Sequence, residues 1–141
     1  MAQSWQFWAV LSAVFAAATA LLAKAGIEGI NPDLALFIRV LIIVPVLGLF
    51  LAATGQFQSV QSVPGKTWVL LGLSALATGA SWLAYFRALK LGPASRVAPV
   101  DKLSVVLVAL LALLLLGETL PIKGWIGVVL IALGAMLVAT A

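Results

Sequence analysis

The chain has 141 residues, of which 65% are hydrophobic and only 9% are charged, and its formal net charge is +4. A soluble domain carries roughly a quarter charged residues, so this composition and a mean hydropathy of +1.25 indicate an integral membrane protein. The sequence contains no His and no Cys, which excludes disulfides, thiol chemistry, ordinary zinc sites and His-based acid–base catalysis. We therefore expect no metal and no cofactor, and no nucleic acid as a partner.

Five apolar blocks are each long enough to cross a bilayer, because about 20 helical residues span a hydrocarbon core about 30 Å thick. Asn31, Pro32 and Asp33 open the second block with a capping side chain, a first-turn proline and an acidic residue at the helix's positive end. No Lys or Arg precedes the first block, so we expect a retained span rather than a secretory signal. The prediction is an all-α, polytopic membrane protein with one domain over residues 1–141 and five transmembrane helices at about 4–23, 33–54, 67–89, 94–116 and 120–141.

The distribution of Lys and Arg gives a weak indication of orientation. We call the side that holds the start of the first span side A, and the opposite side of the membrane side B. The loops of side B carry more basic residues than those of side A: Lys24, Arg87, Lys90 and Arg96 against Lys66 and Lys123. The positive-inside rule then favours a cytoplasmic side B. A bias this small is also typical of a chain that inserts in both orientations, so both stay open.

Arg39 and Asp101 are ionisable residues inside apolar spans. Both of their helices begin on side B, and both residues lie roughly 9–12 Å from that end at about 1.5 Å per residue. Charges inside a membrane nearly always find a partner, so we predict an ion pair between Arg39 and Asp101. Its role is either structural, locking the second and fourth helices together, or functional, with Arg39 contacting an anion or substrate and Asp101 carrying a proton.

Polar and aromatic side chains also recur at helical spacing on the first and third spans. Such faces suit a mixed polar and aromatic pocket for a small organic molecule, although Ser and Thr also bond back to their own helix or join neighbouring helices. The predicted substrate-binding residues, besides Arg39, are Ser12, Phe15 and Thr19 on the first helix, Thr78, Ser81, Trp82 and Tyr85 on the third, and Ser104 on the fourth.

The fifth span lacks such a polar face and carries small residues instead. Gly124, Gly127 and Gly134 allow another helix to approach closely, so we predict that they form a packing or dimer contact. Glu118 and Thr119 precede this helix and are placed to cap it, which gives Glu118 a structural role. With four carboxylates and no phosphate-binding glycine loop, the chain offers no credible catalytic set. We expect it not to be an enzyme.

Several short sequence features occur in an order and spacing that together are typical of one kind of repeat. The N-terminal part has Lys24, Gly26 and a second span opening at Asn31, and the remainder has Ala88 and Leu89 closing the third span, Pro99 early in the fourth, Gly117, Glu118 and Leu120 after it, and Gly127 and Gly134 in the fifth. This arrangement resembles the EamA-type repeat of the drug/metabolite transporter superfamily over essentially the whole chain. The resemblance implies five helices per repeat, export of metabolites or drugs, and a central substrate site between two oppositely oriented repeats.

One such repeat is half of a ten-helix inverted-repeat fold. Transporters build alternating access from two inverted repeats around a midplane site, so we expect an antiparallel homodimer or an inverted paralogous partner. The expected function is that of a secondary transporter or exporter subunit for small metabolites or drugs in the bacterial inner membrane. Its partners would be a small-molecule substrate and the lipid bilayer. The alternatives are a non-transporting accessory or assembly subunit and a component of a lipid-precursor flippase.

Overall fold

The computed structural model describes residues 4–58 and 62–141. Its helices, in chain order, are α1 (Trp5–Gly26), α2 (Pro32–Thr54), α3 (Gly65–Leu91), α4 (Ala94–Asp101), α5 (Ser104–Leu111), a π-helical turn (Ala112–Leu116) and α6 (Ile122–Thr140). When α4, α5 and the π-helical turn are taken as one span, five helices are long and apolar enough to cross a membrane. This confirms the all-α, five-span prediction. Residues 59–61 of the predicted loop between the second and third spans lie outside the described residues.

Asn31 and Gly55 cap the two ends of α2. The Asn31 side chain accepts hydrogen bonds from the backbone N–H groups of Asp33, at 2.8 Å, and Leu34, at 3.3 Å, which confirms the predicted cap. At the other end Gly55 has a φ of 65°, a left-handed conformation that glycine adopts without steric cost. The N–H of Gln56 then donates to the carbonyl of Leu51 at 3.0 Å, and this bond closes the helix.

The fourth span differs from the uninterrupted helix predicted over 94–116. At Lys102 and Leu103 the chain tightens, and each N–H donates to the carbonyl three residues earlier, on Pro99 and Val100, at 3.1 and 3.0 Å. A turn with this bonding is narrower than an α-helical turn, which separates α4 from α5. The span then widens into the π-helical turn and ends at Gly117, whose φ is 68°.

The start of α6 lies two residues later than the predicted position 120. Pro121 is its N-terminal cap, with an extended backbone and no side-chain hydrogen bond to the helix. The prediction that Glu118 and Thr119 cap this helix is therefore wrong. The backbone N–H of Glu118 instead donates to the carbonyl of Ala112 at 3.1 Å. The physical reason is that Gly117 and Glu118 complete the end of the fourth span and α6 begins only at Ile122, so neither Glu118 nor Thr119 occupies the cap position.

The chain divides into two compact units. The first, which we call the α2–α3 unit, is Ala23–Lys90, and its buried apolar side chains are Ile27, Leu36, Phe86 and Leu89. The second, which we call the terminal unit, combines the chain before Ala23 with Leu91–Ala141. Its buried side chains are Ala20, Val128 and Ala135, and in it α4 and α5 pack against α6. The prediction of a single domain over 1–141 stays a prediction.

Candidate functional site

The α2–α3 unit holds an arginine against two aromatic rings. Arg39 lies seven residues after Pro32, about 10 Å into α2 at 1.5 Å per residue. Its guanidinium carbon Cζ is 4.9 Å from the centroid of the Trp82 ring and 5.6 Å from that of Phe86. Trp82 and Phe86 are four residues apart on α3 and share one face of the helix. The negative faces of the two rings therefore stabilise a cation that lies inside an apolar span.

The N–H donors of Arg39 have no partner in the same unit. Within the described part of the α2–α3 unit, the Arg39 side chain makes no hydrogen bond and no ion pair. The carboxylates of this unit are those of Glu28 and Asp33, and Asp33 is bound by Arg87. The contacts of half-buried Arg39 in this unit are therefore with Trp82 and Phe86 and not with a carboxylate.

A two-point ion pair fixes the aromatic residues next to Arg39. Arg87 Nε donates to Asp33 Oδ1 at 3.0 Å, and Arg87 Nη2 donates to Asp33 Oδ2 at 2.8 Å. This fork-to-fork geometry restrains orientation as well as distance. Because Arg87 follows Phe86 directly, the pair ties the segment of α3 that faces Arg39 to the first turn of α2.

Two lysines close the side B end of the same unit. Lys90 Nζ donates to the backbone carbonyls of Ile27, Glu28 and Ile30 at 2.6, 2.8 and 3.3 Å, so its three donors match three acceptors of the α1–α2 loop. Lys24 Nζ donates to the carbonyl of Leu89 at 2.7 Å. These bonds join the end of α1, the loop and the end of α3, about one helical turn beyond Phe86.

The terminal unit contains a second feature, a groove of about 410 Å³ between the α5 segment and α6. Its wall is mainly apolar and also includes Glu118 and Thr119. Gly124 and Gly127 line it on the α6 side. A Cβ built on Gly127 would have nothing within 4 Å, whereas one on Gly124 would lie 3.3 Å from Leu120. The wall of the groove therefore has unoccupied space beside the backbone of Gly127.

Some of the predicted site residues come together and others do not. Arg39 and Trp82 are in contact, with half-buried Tyr85 three residues along α3. The Thr78 hydroxyl Oγ1 donates to the carbonyl of Ser74 at 2.9 Å, so it bonds back to its own helix. Among the others, Thr19 is half-buried, and the exposed ones are Ser12, Phe15, Ser81 and Ser104. Gly134 is exposed and is not among the residues that line the groove.

The predicted Arg39–Asp101 ion pair connects residues of different units and stays a prediction. Within the terminal unit, half-buried Asp101 has Lys102 as its ionic partner, with Lys102 Nζ 3.0 Å from Asp101 Oδ2. Within the α2–α3 unit, Arg39 has the two rings. Each residue of the predicted pair therefore has a stabilising contact inside its own unit.

The predicted site residues do not include four residues that the structure places at or near Arg39 and Trp82, namely Phe86, Asp33, Arg87 and Lys90. A usable signal was present, because Asp33 starts α2 and Arg87 lies near the end of α3, so both belong to side B. The depth argument that linked Arg39 to Asp101 applied equally to this pair. The four-residue spacing of Trp82 and Phe86 likewise marks a shared aromatic face.

Comparison with known proteins gives two matches along nearly the full chain. The model of a family described as the EamA-like transporter family matches residues 3–140. A protein of Sinorhizobium sp, described as an uncharacterized transporter in the cobO 3' region, is 60% identical over 139 residues, which is 99% of this chain and 99% of that protein. No solved structure matches.

Proposed function

Since the chain belongs to the EamA-like transporter family, we propose that it exports small metabolites or drugs across the bacterial inner membrane. In this proposal it is a secondary transporter that acts as an antiparallel homodimer with a central alternating-access site. The observation that carries the proposal is Arg39, a cation held over two aromatic rings inside a span. Ionisable residues inside membrane spans commonly mark substrate or ion pathways.

The homodimer follows from the number of helices. Five spans give one repeat, and alternating access around a midplane site needs two repeats of opposite orientation. The Sinorhizobium relative is matched over 99% of its length, so its length also corresponds to one repeat. The small difference in Lys and Arg between the two sides suits a chain that inserts both ways. A two-fold axis in the membrane plane would place one Arg39 cluster in each half.

The substrate site in this proposal centres on Arg39, Trp82 and Tyr85. A planar cation and two amphipathic rings can bind a small organic molecule through both charge and stacking. Ser12, Phe15, Thr19, Thr78, Ser81 and Ser104 are proposed to complete the lining when two repeats come together, and Asp101 is proposed as the proton carrier.

The contact between the two copies is proposed to involve Gly124, Gly127 and Gly134 on α6. Gly127 and Gly134 have open space where a Cβ would be, so a helix of the second copy can approach the backbone closely. Gly127→Leu would then weaken dimerisation in detergent, while Gly72→Leu on α3, another open position, would leave it unchanged. Analytical ultracentrifugation measures the difference. Equal dimerisation of both variants would place the contact elsewhere.

The first experiment concerns insertion. The chain contains no Cys, so single cysteines at Gln58 on side A and at Leu91 on side B, both exposed, report topology cleanly. Intact cells are treated with a membrane-impermeant maleimide. We expect partial labelling of both variants, because the population contains both orientations. Labelling of one variant alone would mean a single orientation, and the inverted partner would then have to be a different chain.

The second experiment concerns transport itself. The purified chain is reconstituted into vesicles loaded with a panel of polar amino acids, dicarboxylates and sugar phosphates, and the solutes that leave are quantified by mass spectrometry. We expect at least one solute to leave faster than from protein-free vesicles. No accelerated solute, with normal dimerisation, would favour the accessory or assembly subunit instead.

A further inference from the structure

The Arg39 guanidinium contacts two aromatic rings. Its carbon Cζ is 4.9 Å from the centroid of the Trp82 ring and 5.6 Å from that of Phe86. An arginine presents five N–H donors, and within the described part of the α2–α3 unit no acceptor binds them. The rings therefore stabilise the charge of the cation, while its donors have no hydrogen-bond partner in this unit.

In a low-dielectric environment, guanidinium donors without an acceptor favour one class of ligand. Guanidinium donors match the two oxygens of a carboxylate or a phosphate in a bidentate arrangement. Removing such a cation from water without an anionic acceptor is unfavourable, so the site favours a ligand that brings the acceptor. The rings beside Arg39 offer apolar surface for the rest of that ligand.

We propose that Arg39, stacked on Trp82 and Phe86, binds an anionic oxygen group, a carboxylate or a phosphate, of the transported molecule. This inference rests on the proposed transport function and names its substrate class, namely small organic anions or zwitterions with an apolar part. The anionic group lies against the donor edge of Arg39, and the apolar part contacts Trp82.

The charges around the site agree with an anionic ligand. The basic residues of the α2–α3 unit are Lys24, Arg39, Lys66, Arg87 and Lys90, against Glu28 and Asp33 as the acidic ones. Asp33 is bound at two points by Arg87, which occupies this arginine and removes the carboxylate as a partner for an organic cation. Arg39 is the cation inside a span that has no acceptor within the described part of the unit.

Binding of radiolabelled benzoate to the purified dimer in detergent tests the inference. Benzoate supplies a carboxylate on an aromatic ring, and benzamide is its neutral counterpart of the same shape. We expect benzoate to displace itself and benzamide not to compete. Arg39→Gln should weaken benzoate binding by about 10- to 100-fold, the usual range for a lost hydrogen bond to a charged group.

Two further variants separate the role of Arg39 from general effects of charge and folding. Arg96→Gln removes an exposed arginine of α4 and should leave benzoate binding unchanged. Trp82→Phe keeps a ring under the guanidinium with a weaker quadrupole, so it should weaken binding by about 2- to 10-fold with the fold intact. If Arg39→Gln does not fold, the Trp82→Phe result decides alone, and unchanged affinity in that variant would overturn the inference.

Lipid phosphate is the other source of the same chemistry, so the measurement is repeated in two bilayers. Nanodiscs of phosphatidylcholine and of phosphatidylglycerol should give the same benzoate affinity if the ligand is a soluble molecule. Loss of benzoate binding in phosphatidylglycerol alone, at a salt concentration that screens the surface charge of the bilayer, would assign the site to an anionic headgroup and overturn the inference about the substrate.

The outcomes also separate this inference from the proposed function. If the vesicles release solutes but benzoate binds equally to the unsubstituted protein and Arg39→Gln, transport stands and the anion site is wrong. If benzoate binding depends on Arg39 but no solute crosses the membrane, the site is a receptor for anions and the transport proposal fails.

Discussion

The two ends of the α2–α3 unit are stabilised in different ways. At the side B end, Leu36, Phe86 and Leu89 are buried, Asp33 and Arg87 form an ion pair, and Lys90 donates to backbone carbonyls of the α1–α2 loop. At the opposite end the large side chains face outward, with Phe50 on α2 57% exposed and Trp68 on α3 54% exposed. Lipid tails are as apolar as these side chains, so burying them against a neighbouring helix gains little free energy there.

This difference explains where the side chains of a binding site can be held in a fixed geometry. Near side B, helix positions are fixed by packing together with directional bonds to carboxylate and carbonyl oxygens. Arg39 lies next to that region, so the rings of Trp82 and Phe86 are presented to it in a defined geometry. The exposed faces at the other end remain available to lipid or to a second copy of the chain.

The largest effect in this comparison is expected from Leu89→Ala. Leu89 is 0% exposed, and Leu71, 18 residues or about five turns earlier on the same helix, is 60% exposed. Truncating the buried Leu89 side chain should lower the free energy of unfolding by about 2–5 kcal/mol. The matched change Leu71→Ala should stay within about 0.5 kcal/mol. Reversible unfolding in mixed detergent measures both. Equal losses would mean that the side B end is no better packed than the rest of α3.

An intermediate effect is expected from Lys90→Met. The substitution keeps an unbranched side chain but removes three donors to the carbonyls of Ile27, Glu28 and Ile30. We expect a loss of about 1–2 kcal/mol in the free energy of unfolding. We also expect faster amide hydrogen exchange in the α1–α2 loop, because the loop loses its cross-link to α3. Lys66→Met, at the opposite end of α3, is the matched control and should change neither quantity.

The features that sequence alone could predict are those decided within a few residues. The lengths of the spans follow from runs of apolar residues, and the start of α2 follows from Asn31, whose side-chain bonds are local. Interruptions of a helix are less predictable. The narrow turn at Lys102 and Leu103 differs from an α-helical turn in that each N–H donates to the carbonyl three residues earlier. Sequence composition there is compatible with either bonding.

The contact of Arg39 with Trp82 and Phe86 could not be predicted in the same way. It depends on how α2 and α3 are rotated about their own axes. Apolar residues surround Arg39 on every side of α2, so no polar face indicates which side meets the neighbouring helix. Matching depth alone therefore led to Asp101 as the predicted partner, which stays a prediction, whereas the aromatic pair at four-residue spacing indicated the contact within the α2–α3 unit.

The smallest effect is expected from the Asp33–Arg87 pair, because its side chains are 39% and 61% exposed. Asp33→Asn removes the ion pair and also an acidic residue at the positive end of α2, whereas Arg87→Gln removes only the ion pair. The double variant completes a cycle that isolates the coupling between the two residues. We expect a stabilising coupling, smaller than the effect of Lys90→Met, that shrinks when salt is added. A coupling that salt leaves unchanged would mean that the pair is shielded from solvent. Its contribution would then belong with the buried contacts of Leu89 and not with the water-facing surface.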